Sequence, residues 1–142
     1  MDDITVRKMK PSEKIRVQEL FESVYKCTLS GAVPVFENAT QGEEIFVALY
    51  SGIIVGIATV WIPDAFVHYL FVDQEIRHKG VGRAMIERLA EQYESPLTLK
   101  CLIENKEAMA FYHATGWHEV ETGYSEEGAY ALLRYAPAKP SA

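Results

Sequence analysis

Arg77-His78-Lys79-Gly80-Val81-Gly82-Arg83 gathers three formal cations and two glycines into seven residues that include no carboxylate. Such a run suits a phosphate group. Glycines at 80 and 82 let the backbone turn tightly and come close to a ligand. A helix starting just after them offers unpaired N–H groups at the positive end of its dipole. A solvated helix start is the poorer account of the cations, because positive charge there opposes the dipole at about 0.3–1 kcal/mol per group. The cluster is also a local exception, since the chain carries 20 Asp and Glu against 14 Lys and Arg, a formal charge of −6.

Elements placed around this run decide whether it can work. Ile4 to Met9 reads as an opening strand, and Pro11-Ser12-Glu13 starts a helix with Ile15, Val17, Leu20, Phe21 and Val24 on its apolar stripe. Residues 27 to 42 hold Gly31, Pro34, Asn38 and Gly42 and read as an irregular stretch with room for a short helix. Ile45 to Ile62 carries no charge and is long enough to cross a membrane. Its Ser51-Gly52 turn signal and its Ile and Val content favour two strands instead. Strands are expected at about 44–50, 53–62 and 65–73, then a helix from Gly82 to Tyr93 and a strand from Leu97 to Ile103. A helix from Lys106 to Thr115 ends at Gly116, and strands near 117–124 and 129–135 precede a Pro/Ala tail expected to be disordered over 137–142. The fold class is α/β or α+β with a mixed, mostly antiparallel sheet and helices on both faces. Strands 65–73 and 97–103 flank a crossover helix and must run parallel, which puts their carboxyl ends beside the phosphate loop.

Two common phosphate motifs do not fit. The dinucleotide fingerprint needs a third glycine where Met85 stands, and no Lys-Ser or Lys-Thr follows a glycine as a P-loop requires. What stands is Arg-x-x-Gly-x-Gly behind Leu70-Phe71-Val72-Asp73, which resembles the acetyl-CoA signature of the GNAT superfamily of N-acetyltransferases. A second match lies downstream: Asn105-Lys106-Glu107-Ala108-Met109-Ala110-Phe111-Tyr112, then Gly116-Trp117, is similar to that family's Asn-x-x-Ala-x-x-Phe-Tyr and Gly-Phe, with Trp117 in place of Phe. Element order over about residues 4 to 135 agrees with the same family.

The resemblance implies that backbone amides of residues 78 to 83, with Arg77, His78, Lys79, Gly80, Val81, Gly82 and Arg83, hold the pyrophosphate of coenzyme A. It implies that the two parallel strands splay, that the pantetheine arm pairs with the backbone of Leu70, Phe71 and Val72, and that an N–H near Leu70 polarises the thioester carbonyl. Asn105 would bond the cofactor arm while serving as an N-cap. Tyr112 would protonate the departing thiolate, although a core aromatic with a satisfied hydroxyl reads similarly. The incoming ammonium must lose a proton before it attacks. Some protein-acetylating relatives place a glutamate where this chain has Phe66, so His68, two residues on and on the same face as Phe66 and Leu70, is the base expected here. A structural histidine is the competing account.

Acceptor choice in the family comes from the segments here numbered 25–40 and 117–130, which supply Tyr25, Phe36, Glu37, Tyr124, Glu126 and Glu127, aromatic and acidic groups suited to a cationic amine. The expected activity is acetyl transfer from acetyl-CoA to the primary amine of a small molecule or peptide by direct attack in a ternary complex. An acyl-CoA-binding sensor without turnover is the alternative. The negative charge argues against nucleic-acid partners. At 142 residues and 49% apolar composition, one domain over 1–136 is expected. Cys27 and Cys101 stand far apart without neighbouring ligands, so neither a disulfide framework nor a metal is expected. An acidic N-terminus without an apolar stretch fits a cytoplasmic protein held to no membrane, and an exposed C-terminal strand could support a homodimer.

Overall fold

A computed structural model of the chain describes residues 3–28, 32–76 and 79–136. Arg77 and His78 of the glycine run, and the expected tail at 137–142, lie outside them. Seven strands form one sheet: β1 (Ile4–Lys8), β2 (Glu44–Tyr50), β3 (Ile53–Trp61), β4 (Phe66–Val72), β5 (Thr98–Leu102), β6 (Trp117–Ser125) and β7 (Gly128–Tyr135). Their order across the sheet is β1-β2-β3-β4-β5-β7-β6, and among the described residues only β4 and β5 run parallel. The α-helices of the described residues are α1 (Lys14–Thr28), α2 (Phe36–Ala39), α3 (Val81–Gln92) and α4 (Lys106–Ala114).

The uncharged run at 45–62 makes the β2–β3 hairpin, turning on Ser51 and Gly52 with φ of 50° and 83°. Two left-handed residues in a two-residue turn match the right-handed twist of the flanking strands. Among the described residues, no helix is long and apolar enough to cross a membrane.

Strand alternation sends apolar residues to both faces, and each face has its own helical cover. On one, Val17, Leu20, Phe21 and Val24 of α1 pack with Phe36, Val47 and Ile57 and against the rings of Tyr69 and Phe71. On the other, Val81, Met85, Ile86 and Leu89 of α3, with Met109 of α4, pack on Phe46, Ala58, Val60, Val67, Leu99, Cys101 and Leu133. Met85 sits flush on the sheet because Gly56 has no Cβ. One placed there would lie 2.9 Å from the Met85 sulfur and 3.1 Å from Ala48 Cβ.

One irregularity changes how β4 must be read. Thr59 pairs with Tyr69 and Val60 with Val67, which leaves His68 as the extra residue of a β-bulge. Alternation restarts across it, so Val67 joins Leu70 and Val72 against the α3 cluster while Tyr69 and Phe71 face α1. The expectation that His68 shares a face with Leu70 is corrected accordingly.

Candidate active site

The middle of the sheet is open. Among the described residues, β4 and β5 pair at Phe66 and Thr98 alone, and beyond that rung they part. Backbone bonds fix which groups of β4 face the gap. The Tyr69 N–H donates to Thr59 Oγ1 at 3.1 Å and the Asp73 N–H to the Val55 carbonyl at 2.7 Å, both on β3. The Phe71 carbonyl also lies on the β3 side, 3.2 Å from where a Cβ on Gly56 would stand. Along an extended strand, successive residues turn their N–H and C=O groups to opposite edges. The backbone of Leu70 and Val72 therefore points toward β5, across a gap with no ladder to receive it. Phe71 turns its own groups to β3 and lays its ring against Phe21 at 5.6 Å.

Gly80 and Gly82 follow β4 at the start of α3. Gly80 is the N-cap of α3 with φ 84° and ψ 9°, a left-handed conformation that L side chains resist. Nothing lies within 4 Å of where its Cβ would be, so dihedral angle alone demands glycine there. Gly82 answers a different need: it lies inside the helix, and a Cβ there would stand 2.9 Å from Phe111 Cζ of α4. The Ala84 N–H is bonded to the Gly80 carbonyl at 3.0 Å, which starts the helical ladder. Amides of the first turn before it are the orphan donors of a helix start, and that turn contains no acidic residue. Lys79 and Arg83 are exposed beside it, whereas the Val81 side chain is buried in the core.

Asn105 caps α4, its Oδ1 accepting from the Ala108 N–H at 3.1 Å. Two helical turns on, the half-buried Tyr112 stacks edge-on to Phe111 and Trp117, with ring centroids 5.4 and 5.6 Å away. Burial, with Cys101 of β5 beside it, pushes the phenol far above its ordinary value. Burial also raises the Cys101 thiol to about 11, so at neutral pH it stays protonated.

A scan against protein-family models matches residues 14–117 to the acetyltransferase (GNAT) family. The chain belongs to this family. Its fold is shared by solved structures of low sequence identity. The ribosomal-protein-S18-alanine N-acetyltransferase from Escherichia coli superposes with TM-score 0.74 at 16% identity, over 97% of this chain and 96% of that one. Arabidopsis thaliana Naa50, solved with the bisubstrate analogue CoA-Ac-MVNAL, gives 0.72 at 12% identity over 94% and 99% of the two chains. A chimeric spermidine N-acetyltransferase with a Vibrio cholerae parent gives 0.67 at 15% identity over 94% of each. Comparison with curated proteins gives no match.

In this acyltransferase the α1 face of the parted strands carries a second group of polar residues. His68 Nδ1 lies 2.8 Å from Glu43 Oε2, and the imidazole stacks on the Tyr69 ring at 4.1 Å. The Tyr69 phenol is pushed up, first by burial and then by neighbouring Tyr25, Glu43 and Glu127. Contacts thus join the bulge of β4 to the residue before β2, and the end of α1 and the β6–β7 turn act on them through their field. At the paired end of β4 and β5, an open groove of about 730 Å3 is lined by Trp61, Phe66, Lys100, Leu132 and Arg134. Of the residues expected to select the acceptor, Tyr25 and Glu127 act electrostatically on Tyr69, Tyr124 stands 88% exposed, and Phe36 is a core residue with its ring 4.9 Å from Phe21. Glu43 and Tyr69 were not singled out in the sequence. Their signal is register: Glu44 opposite Val60, and Val60 opposite Val67, carry Glu43 across β3 to the bulge.

Proposed function

We propose that this protein transfers the acetyl group of acetyl-CoA to a primary amine by direct attack within a ternary complex. The observation that carries this reading is the gap in the sheet, into which Leu70 and Val72 turn main-chain groups that no strand satisfies. Buried backbone polar groups need partners, and an extended arm bearing amides can supply them as an added strand. When bound, acetyl-CoA contributes an activated acyl group as a thioester.

The chain's own residues then divide the work. First-turn amides of α3, with Lys79 and Arg83, hold the diphosphate. The Leu70 N–H polarises the thioester carbonyl where negative charge grows during attack, an oxyanion role typically worth about 10²–10³ in kcat. Tyr112 keeps its proton throughout the neutral range and donates a hydrogen bond to the leaving thiolate, with full transfer relying on position and local field because the thiol is the stronger acid. The amine lone pair forms the new N–C bond, the C–S bond breaks, the nitrogen releases its protons, and sulfur gains one through Tyr112. Balance requires one net proton to leave. The acceptor approaches from the α1 face, where Tyr25, Tyr69, Glu43 and Glu127 favour a cation.

Thiol release from acetyl-CoA, measured over a panel containing spermidine, lysine amide and short peptides with free N-termini, tests the reading. Intersecting double-reciprocal lines are expected. Parallel lines with an isolable acetyl-enzyme would replace direct attack by a covalent route, and calorimetry showing no heat with coenzyme A would remove the cofactor assignment.

A further inference from the structure

Glu43 is the least explained charged group in the described residues. Its side chain is only 10% exposed, one carboxylate oxygen is 2.8 Å from His68 Nδ1, and the other, Oε1, is buried without a hydrogen-bond partner. A buried carboxylate oxygen left bare is costly, and native proteins satisfy nearly all such atoms. His68 itself is 37% exposed, so the pair lies at an opening. Because it is the extra residue of the bulge, its ring leaves the regular side-chain alternation and stacks on Tyr69 at the edge of the parted strands.

We propose that Glu43 and His68 act as one unit on the acceptor side, in which Glu43 Oε1 receives an N–H of the incoming alkylammonium and His68 Nε2 takes the proton that frees its lone pair. This rests on the acetyl-transfer reading above and adds the group that recognises the charged acceptor.

The geometry supports both halves. A bond from Nδ1–H to the Glu43 carboxylate fixes the tautomer that leaves Nε2 as an acceptor, the orientation a base requires. The same carboxylate stabilises the imidazolium that forms. An ammonium brings three donors on a compact charge, enough to meet Oε1 and still face the ring. Tyr69 stacks on the His68 ring and feels the field of Tyr25 and Glu127, and no cation of the described residues bonds to Glu43 in its place. Proton balance is simple. The ammonium gives one proton to His68, which passes it to solvent through its exposed edge; the neutral amine then forms the N–C bond, and its second proton replaces the one Tyr112 gives to sulfur.

Steady-state kinetics on Glu43→Gln, Glu43→Asp and His68→Gln, with the amine panel and acetyl-CoA, test the unit. Glu43→Gln should lower kcat/KM for the amine about 100-fold and raise KM for amine, while acetyl-CoA affinity by calorimetry stays within twofold. Glu43→Asp should recover part of the loss. His68→Gln should lower kcat with the amine panel, while its acetyl-CoA affinity stays unchanged. The losses should also be non-additive in the double variant. Thermal unfolding midpoints matching wild type separate these effects from misfolding. Unchanged amine kinetics in Glu43→Gln would overturn the proposal while leaving acetyl transfer intact. A wild-type protein that binds coenzyme A but acetylates no amine would overturn the proton-accepting role. One that does not bind coenzyme A would overturn the functional reading itself, and this proposal with it.

Discussion

Tyr112 shows how environment sets what one side chain can do. Buried beside Cys101 and edge-on to Trp117, its phenol holds its proton well past the alkaline range of a free tyrosine, so it is a hydrogen-bond donor at every working pH. Tyr112→Phe keeps the ring and removes that proton. Its kcat should fall about 100-fold, at the lower end of what a positioned acid contributes, with calorimetric affinity for acetyl-CoA nearly unchanged. A second residue governs stability rather than turnover. Arg7 binds both oxygens of Glu13 at 3.0 and 2.8 Å, and the Lys10 N–H adds a third bond at 2.8 Å. Together these hold the Glu13 carboxyl at about 2, well below its usual 4.5. A depressed carboxyl stabilises the fold above its unfolded value and loses that contribution as pH falls through its folded one. Wild type should therefore exceed Glu13→Gln in urea stability at pH 7, and the difference should shrink as pH drops from about 4.5 toward 2.

At the scale of elements, the two glycines of the phosphate run make different demands. Gly80 needs a left-handed φ of 84° and has open space around it, so Gly80→Ala should cost about 1–2 kcal/mol of stability through backbone strain. Gly82→Ala adds a methyl 2.9 Å from Phe111 Cζ and must shift that ring, the neighbour of Tyr112 on α4. Its signature should be a lowered kcat with little loss of coenzyme A affinity, whereas Gly80→Ala should weaken that affinity. Isothermal calorimetry with initial rates separates the two. A sequence shows both residues as glycine because a dihedral requirement is local while a contact with residue 111 depends on tertiary packing. The same distinction marks what was legible elsewhere. Strands and helices could be placed within a few residues because apolar spacing and turn residues are local signals, as at Ser51-Gly52. The bulge at His68 could not, because it exists only as a mismatch in register between β3 and β4. That one shift moved His68 off the face of Leu70 and brought Glu43, 25 residues earlier, to its ring nitrogen.

For the whole molecule, the parted strands tie stability to the cofactor. A ligand that binds only the folded state adds RT ln(1 + [L]/Kd), about 2.7 kcal/mol at a hundredfold excess over Kd. Coenzyme A at that level should raise Tm by several degrees. Hydrogen exchange should locate the effect at the Leu70 and Val72 amides, which are fast when the gap is empty, while Tyr69 and Asp73, already bonded toward β3, should change little. Equal protection of all four amides without ligand would mean that the gap is closed in solution. Since a single rung at Phe66 and Thr98 joins β4 to β5, the sheet is two panels hinged at one end. Two amide signals in a solution spectrum would then serve as a built-in occupancy gauge, reporting a bound arm before any product is made.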